Sequence, residues 1–380
     1  MKVYACIPSF NEAQNIQAIT RVVDRGLQLL KKTHPTATVH IINADSASTD
    51  DTISLFEATT TVTPKTSIKN VSQGKGLNLF SFISAALQGG ADYFITIDAD
   101  VTSAGPDWVR SLLDPLIKGE ADLSTPLYER SRYDGCITLH FAYPTMLALT
   151  GQPVRQPIGG DFAFNRTVAQ LAHDTPKPVS AQAYGIDIFL TLLSASQGLS
   201  IAQVPLGKKI HASGLGKLEG MFPQVAETAA VLARNSHQHG GLPRVNHSFR
   251  TGITENTPHL ADKDKRALYA KVTKQLTELP SWLPPSVIEI AKQARETDEY
   301  VTMSSEAWVE TLAAWYQAIR AASPAGIPKL TKELFPFFVL RRVSFWNEVA
   351  DMSAHEVERV IRNQATTFAD RFAKASTVRA

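Results

Sequence analysis

Cysteine is nearly absent: the 380 residues include only Cys6 and Cys136, and Cys6 lies in an apolar run that reads as a buried strand. A disulfide framework of the kind small secreted domains need is therefore not expected. No sign of charge is in excess either, because 38 basic and 36 acidic side chains leave a formal net charge of +2. Such a balance sets up no global field to attract nucleic acid or an anionic membrane. Long hydrophobic runs are missing as well. The most apolar stretch, residues 334–340, falls far short of the ~20 residues needed to cross a bilayer. Residues 2–8 read directly as a strand, without the basic-then-apolar order of a signal peptide. These absences argue against stable membrane insertion and make the cytoplasm the expected location. Apolar side chains, in contrast, are plentiful at 44%. The chain is longer than one hydrophobic core usually serves, so two domains are expected.

Residues 3–205 alternate between strand and helix periods. Strands are expected at 3–7, 38–42, 67–71, in a run ending on Asp98, at 122–127 and at 199–205. Helices are expected at 12–30, 50–56, 75–87 and 107–117, and helical patterns recur at 138–149 and 181–196 around the loop Pro157-Ile158-Gly159-Gly160-Asp161. That alternation predicts a mostly parallel sheet with helices on both faces. From residue 218 onward only helical periods occur, broken by Gly240-Gly241 and by Pro258, Pro280, Pro284 and Pro285. An α/β domain over residues 1–217 and an all-helical domain over 218–380 are therefore expected. No internal repeat is present.

The chemistry concentrates where strands end. Tyr93-Phe94-Ile95-Thr96-Ile97-Asp98-Ala99-Asp100 is an apolar strand that runs into two carboxylates one residue apart. On a strand, residues i and i+2 point the same way, so Asp98 and Asp100 are expected to reach one site and to want a cation between them. The plainer alternative is an Asp-rich turn. A second edge, Pro8-Ser9-Phe10-Asn11-Glu12, breaks a strand into a helix, where Ser9 or Asn11 is expected to cap and Asn11 and Glu12 also offer polar groups. At a third, Asn43-Ala44-Asp45-Ser46-Ala47-Ser48-Thr49-Asp50-Asp51-Thr52, Asp45 could accept a nucleobase N–H and the hydroxyls could meet ribose or phosphate. At the fourth, Gln73-Gly74-Lys75-Gly76, glycines permit close backbone approach beside a lysine at a positive helix end. It lacks the spacing of a P-loop or a dinucleotide fingerprint.

Taken together, these four edges resemble the GT-A nucleotide-sugar glycosyltransferases, whose fold is a Rossmann-like, mostly parallel sheet. Gln156-Pro157-Ile158-Gly159-Gly160-Asp161, Tyr184-Gly185-Ile186-Asp187 and Gly207-Lys208-Lys209-Ile210-His211 are similar to motifs of the retaining mannosylglycerate synthase and glucosyl-3-phosphoglycerate synthase type. Asp134-Gly135-Cys136-Ile137-Thr138 and the tail over 305–372 look closer to the mannosylglycerate synthases. The resemblance implies a metal-dependent retaining transfer of a hexose from GDP-mannose, GDP-glucose or UDP-glucose to a small anionic hydroxy acid such as glycerate or 3-phosphoglycerate. It places Pro8, Asn11, Glu12, Asp45, Lys75, Asp98 and Gly160 around the donor nucleotide, and Asp100 with His211 on a divalent Mg or Mn ion. Where the mannosylglycerate type carries an arginine early in the fifth strand and a tyrosine after the metal histidine, this chain has Thr125 and Gly214, which leaves D-glycerate itself open as acceptor.

For the acceptor side, Tyr184 and Asp187 fall three apart at an expected helix start. There the carboxylate could orient an acceptor hydroxyl or steady a cationic sugar, or the pair could be a packing aromatic and an acidic first turn. Arg130 and Arg132 could clamp a carboxylate or phosphate, or be solvated loop arginines. His237, His239 and His247 lack the cysteine or HExxH partners of a zinc site and read as surface residues. An inverting transferase to a lipid phosphate and a silent nucleotide-sugar-binding protein are the alternatives. Finally, the aromatics Trp308, Trp315, Phe345 and Trp346 and residues 334–340 suggest a homo-oligomer, unless they simply fill the helical core.

Overall fold

A strand covered on both faces must be apolar on both, and Val3, Ala5, Cys6 and Ile7 are all fully buried. The structure, a computed structural model, describes residues 1–210, 218–235, 252–255 and 261–377. Its strands are β1 (Lys2–Ser9), β2 (Thr38–Asp45), β3 (Lys65–Lys69), β4 (Tyr93–Thr96), β5 (Leu123–Glu129), β6 (Phe162–Asn165) and β7 (Ile201–Lys208), and its order across one seven-stranded sheet is β3-β2-β1-β4-β6-β5-β7. β1 pairs in parallel with β2 and β4, and β2 with β3. The expected parallel α/β sheet is thus present, but β6 runs antiparallel to β4 and β5. Neither β6 nor the helix after it stood out in the sequence.

The helices of the sheet region are α1 (Ile16–Thr33), α2 (Thr52–Ala58), α3 (Lys75–Gln88) and α4 (Pro106–Ile117); later ones are α5 (Tyr143–Thr150), α6 (Arg166–Asp174), α7 (Ile186–Ser196) and α8 (Leu218–Asn235). α1 turns Ile16, Ile19, Val23, Leu27 and Leu30 inward at three- and four-residue spacing, against Val109, Leu112 and Leu113 of α4. Each such side chain contributes about 1.5–3 kcal/mol when fully buried. The two helices cross closely at Gly26, where an added Cβ would lie 2.5 Å from Val109 Cγ2. On the opposite side Phe82 of α3 meets Phe94 edge-on, and Phe94 stacks on Phe164 of β6 at 5.3 Å.

The chain divides into two compact units, Met1–Tyr128 with Arg155–Thr228, and Glu129–Val154 with Ala229–Ala380. The expected single boundary at 217/218 therefore differs from the packing: the change falls at Thr228, and residues 129–154 join the helical part. That part also contains α9 (Asp262–Thr273), α10 (Pro285–Glu296), α11 (Ser305–Ala321), α12 (Ile327–Glu348) and α13 (Ala354–Thr377). Trp308, Trp315, Phe345 and Trp346 are buried within it, as are residues 334–340. Trp308 Nε1 donates to the His140 carbonyl at 2.8 Å and Trp315 Nε1 to that of Leu330 at 3.0 Å. These aromatics fill the helical core and supply no exposed patch, so the reason for expecting a homo-oligomer falls away.

Candidate active site

Capping does not follow the expected pattern at the first edge. α1 begins at Ile16 after Asn15, and neither Ser9 nor Asn11 caps it. Asn11 instead takes a left-handed conformation (φ 53°), donating its N–H to Ser48 Oγ and accepting from Thr49 N, each at 2.8 Å. The N–H of Glu12 goes to Thr52 Oγ1 at 2.7 Å, and its carboxylate accepts from Asn15 Nδ2. Pro8 is buried in β1 opposite Ala44. Together Asn11 and Glu12 tie the first strand edge to the second.

Asp45 ends β2 with no exposed surface. Its oxygens accept from Ser9 Oγ (2.9 Å), Ser48 Oγ (2.6 Å) and Ser48 N (2.8 Å). Where the sequence suggested a base contact, the carboxylate is turned inward and organises the loop. The glycines of Gly74-Lys75-Gly76 also work differently from the expected approach to an anion. A Cβ on Gly76 would lie 1.9 Å from the Ala181 carbonyl, and one on Gly74 would lie 2.3 Å from that of Gln182. Gly76 N donates to the Ala183 carbonyl at 3.1 Å. The bare backbone at the start of α3 therefore packs against the segment leading into α7, which brings Lys75 to Asp187.

β4 ends at Thr96, so Asp98 and Asp100 lie in the turn beyond it and the alternation of a strand does not govern them. Asp98 is gripped by two ammonium groups: Lys75 Nζ stands 2.9 Å from its Oδ1 and Lys209 Nζ 3.5 Å from its Oδ2. Lys75 also pairs with Asp187 at 3.2 Å, and Lys209 with the fully buried Asp161 at 2.9 Å. Asp161 accepts the Asp98 N–H at 2.8 Å and the Tyr128 hydroxyl, while Lys209 lies over the Tyr128 ring. The result is an alternating chain of charge, Asp187, Lys75, Asp98, Lys209, Asp161, at the carboxyl edge of β4. Gly160, at φ +94°, leaves room for it: an added Cβ would lie 2.3 Å from Asp98 Oδ2.

Burial works against every charge here, and the neighbours decide the sign. Burial alone would pull the Lys75 pKa down, but Asp187 and Asp98 overcome it and hold the ammonium far above its usual range. Burial likewise opposes the Asp98 carboxylate, yet Lys75 and Lys209 bring its pKa below the ordinary value. Asp187 goes the other way. Burial, with the repulsion of Asp98 added to it, outweighs the pull of Lys75 and raises the carboxyl. Two carboxylates around one lysine thus differ in proton affinity, a pattern common at reactive sites.

Of the sequence-expected residues, Lys75, Asp98, Gly160 and Asp187 converge. Asp187 lies in the first turn of α7, whereas Tyr184 precedes the helix, its N–H on Gln224 Oε1 at 2.8 Å, so the shared helical face expected for the two does not form. Arg130 belongs to the second unit, with its guanidinium 3.2 Å from Asp134. Arg132, in the same unit, is buried against the carbonyls of Val349, Ala350 and Met352 and acts in packing. Lys209, Asp161 and Tyr128 join the site without a role evident from sequence; the local signals for the first two are Gly159-Gly160-Asp161 and Lys208-Lys209. His211 lies outside the described residues, and among those described no three His, Cys, Asp or Glu side chains converge on a metal position. Asp100 lies part-exposed in the same turn as Asp98, and its carboxylate oxygens are of the kind a hard cation takes.

Comparison with known proteins agrees with this geometry. The glycosyl transferase family 2 model matches residues 4–153. The mannosylglycerate synthase of Rhodothermus marinus is 24% identical over 264 residues, 67% of this chain and 65% of that protein. A dolichol-phosphate mannosyltransferase of Pyrococcus furiosus is 24% identical over 234 residues, 58% of this chain and 60% of that one. The alignments thus span less than two thirds of either relative. The crystal structure of glucosyl-3-phosphoglycerate synthase from Mycobacterium tuberculosis with Mn2+, UDP and phosphoglyceric acid superposes with a TM-score of 0.50 at 28% identity, covering 61% of this chain and 78% of that one. All four polar strand edges, with Lys75 and Asp98, thus fall within residues 4–153, the stretch of this chain that the glycosyl transferase family 2 model matches.

Proposed function

We propose that this chain is a divalent-cation-dependent retaining glycosyltransferase that moves a hexose from a nucleotide diphosphate sugar to a small anionic hydroxy acceptor. The observation that carries this reading is the alternating Asp187, Lys75, Asp98, Lys209, Asp161 cluster at the sheet's carboxyl edge, where open α/β sheets bind nucleotides. Asp98, fixed by two lysines, would offer its carboxylate to the ribose hydroxyls. Lys75 would supply a permanent cation to the donor, and Asp187 would orient the acceptor hydroxyl or steady positive charge on the sugar. Asp100 would hold the cation with His211. When bound, that ion would neutralise charge developing on the diphosphate leaving group. The Mn2+, UDP and phosphoglyceric acid bound to the M. tuberculosis relative support the same substrate classes here. A lipid-phosphate acceptor is the second reading, favoured by the dolichol-phosphate mannosyltransferase relative. No helix among the described residues is long and apolar enough to cross a membrane.

The test is a mass-spectrometric screen of UDP- and GDP-sugars against glycerate, 3-phosphoglycerate and a short polyprenyl phosphate, with Mn2+ or EDTA. Transfer to a hydroxy acid with the anomeric configuration kept, abolished by EDTA and by Asp100→Ala at unchanged Tm, is the expected result. Full activity of Asp100→Ala in EDTA, or product only on the polyprenyl phosphate, would overturn the proposal.

A further inference from the structure

Two consecutive arginines of α12 differ sharply in their surroundings. Arg341 is buried and fully engaged: its guanidinium reaches Gln364 Oε1, the Met303 carbonyl, Glu348 and Ser305 Oγ at 2.8–3.1 Å. Arg342 is just as buried, at 3% exposure. Among the described residues it makes no hydrogen bond or ion pair, and its Nε has no acceptor. Its one close partner is the Trp346 ring, 4.2 Å from the guanidinium carbon. A ring face offers a cation part of what water gave, and far less than an anion would. Arginine cannot escape by losing its proton. A permanent cation so largely withdrawn from water, with no acid paired to it among the described residues, is costly to keep, and the cost falls when an oxyanion binds it.

Two acids of the same unit are paired with other arginines. Glu348 is taken by Arg341 at 2.9 Å and Asp134 lies 3.2 Å from Arg130. The positive field of Arg342 reaches the segment 134–138 of the same unit, where it draws the Cys136 thiol pKa down against the larger effect of burial. We propose that Arg342 anchors an oxyanion-binding site in the helical unit, taking the phosphate or carboxylate of a small molecule, with the Trp346 ring as its floor. The guanidinium presents paired N–H donors to two oxygens at once, as a fork suits.

The experiment measures the Tm of the full chain, without nucleotide, against phosphate, 3-phosphoglycerate and glycerate up to about 20 mM, with chloride at equal ionic strength as control. Wild type should be stabilised by at least one of the three beyond chloride. Arg342→Met should bind that ligand roughly ten- to hundredfold more weakly, as loss of hydrogen bonds to a charged group implies. Without ligand it should be at least as stable as wild type, since an uncompensated buried charge has gone. Arg342→Lys, which keeps charge but not the fork, covers the case in which the methionine variant does not fold; it should respond, but less. Equal shifts from phosphate and 3-phosphoglycerate indicate a free-anion site, whereas a larger shift from 3-phosphoglycerate indicates a phosphate-bearing metabolite. No stabilisation of wild type beyond chloride, or a wild-type response in either variant, would overturn the proposal. Because nothing here requires turnover, its outcome is separate from that of the transferase reading.

Discussion

Lys209→Met removes the cation that serves two carboxylates at once. Lys209 stands 2.9 Å from Asp161, which has no exposed surface, and 3.5 Å from Asp98. At an effective dielectric of about 20, charges 2.9 Å apart attract by about 6 kcal/mol, against which the cost of drawing both from water must be set. Removing one member of such a buried pair costs about 3–5 kcal/mol, because the other is left charged and unmatched. The Tyr128 hydroxyl and the Asp98 N–H still donate to Asp161 in the variant, which keeps the loss toward the lower end of that range. Asp161→Asn in the Lys209→Met background restores neutrality with nearly the same shape, so the double variant should be more stable than Lys209→Met alone. Urea unfolding of the four proteins in this cycle measures the coupling, expected at about 2 kcal/mol or more. Additive losses, or a Lys209→Met variant within about 1 kcal/mol of wild type, would refute the idea that this pair holds the site together.

Asp98→Asn and Asp187→Asn should show opposite dependence on pH. The Asp98 pKa is lowered in the folded protein, so its charge stabilises above the unfolded carboxylate value, and the penalty of Asp98→Asn should vanish as pH falls through the folded value. The Asp187 pKa is raised, so wild type loses stability as pH rises through that folded value, and Asp187→Asn should gain on it there, as Tm scans from acid to neutral pH would show. Gly160→Ala should lose both stability and donor binding, since its Cβ would sit 2.3 Å from Asp98 Oδ2 at a φ of +94°; a calorimetric donor affinity equal to wild type would exclude this crowding.

The elements that repeat a simple period were legible: β1, β2, α1, α3 and α4 all appear where apolar spacing predicts them, with ends shifted by a few residues. β6 was not, because four residues behind a glycine pair carry too little pattern, and its reversed direction depends on pairing Thr96 with Phe162 across the sheet. That same register hides the role of Asp161. Read locally it is an acid in a glycine loop; only the pairing of β6 with β4 buries it beside the Asp98 N–H. Asp45 shows the limit in the opposite sense: a carboxylate at a strand end reads as a ligand contact, and only the fold shows that Ser9 and Ser48 also donate to it. The grouping of residues 129–154 with the helical unit was equally invisible, because an amphipathic segment does not specify which apolar surface it will meet.

The charged cluster also constrains the order in which the chain can fold. Its links join residues 23, 48, 63 and 112 positions apart, so most of it cannot form within a local segment. During synthesis Asp98 emerges with its partner Lys75 already made, but Asp161 emerges long before Lys209, and burying it before Lys209 arrives would strand a carboxylate without a counter-charge. The sheet's apolar centre, from β1 through β4, can assemble early, whereas its polar edge must remain hydrated until the seventh strand docks. A chain released before residue 209 would therefore have most of its core but a site without the cation shared by Asp98 and Asp161.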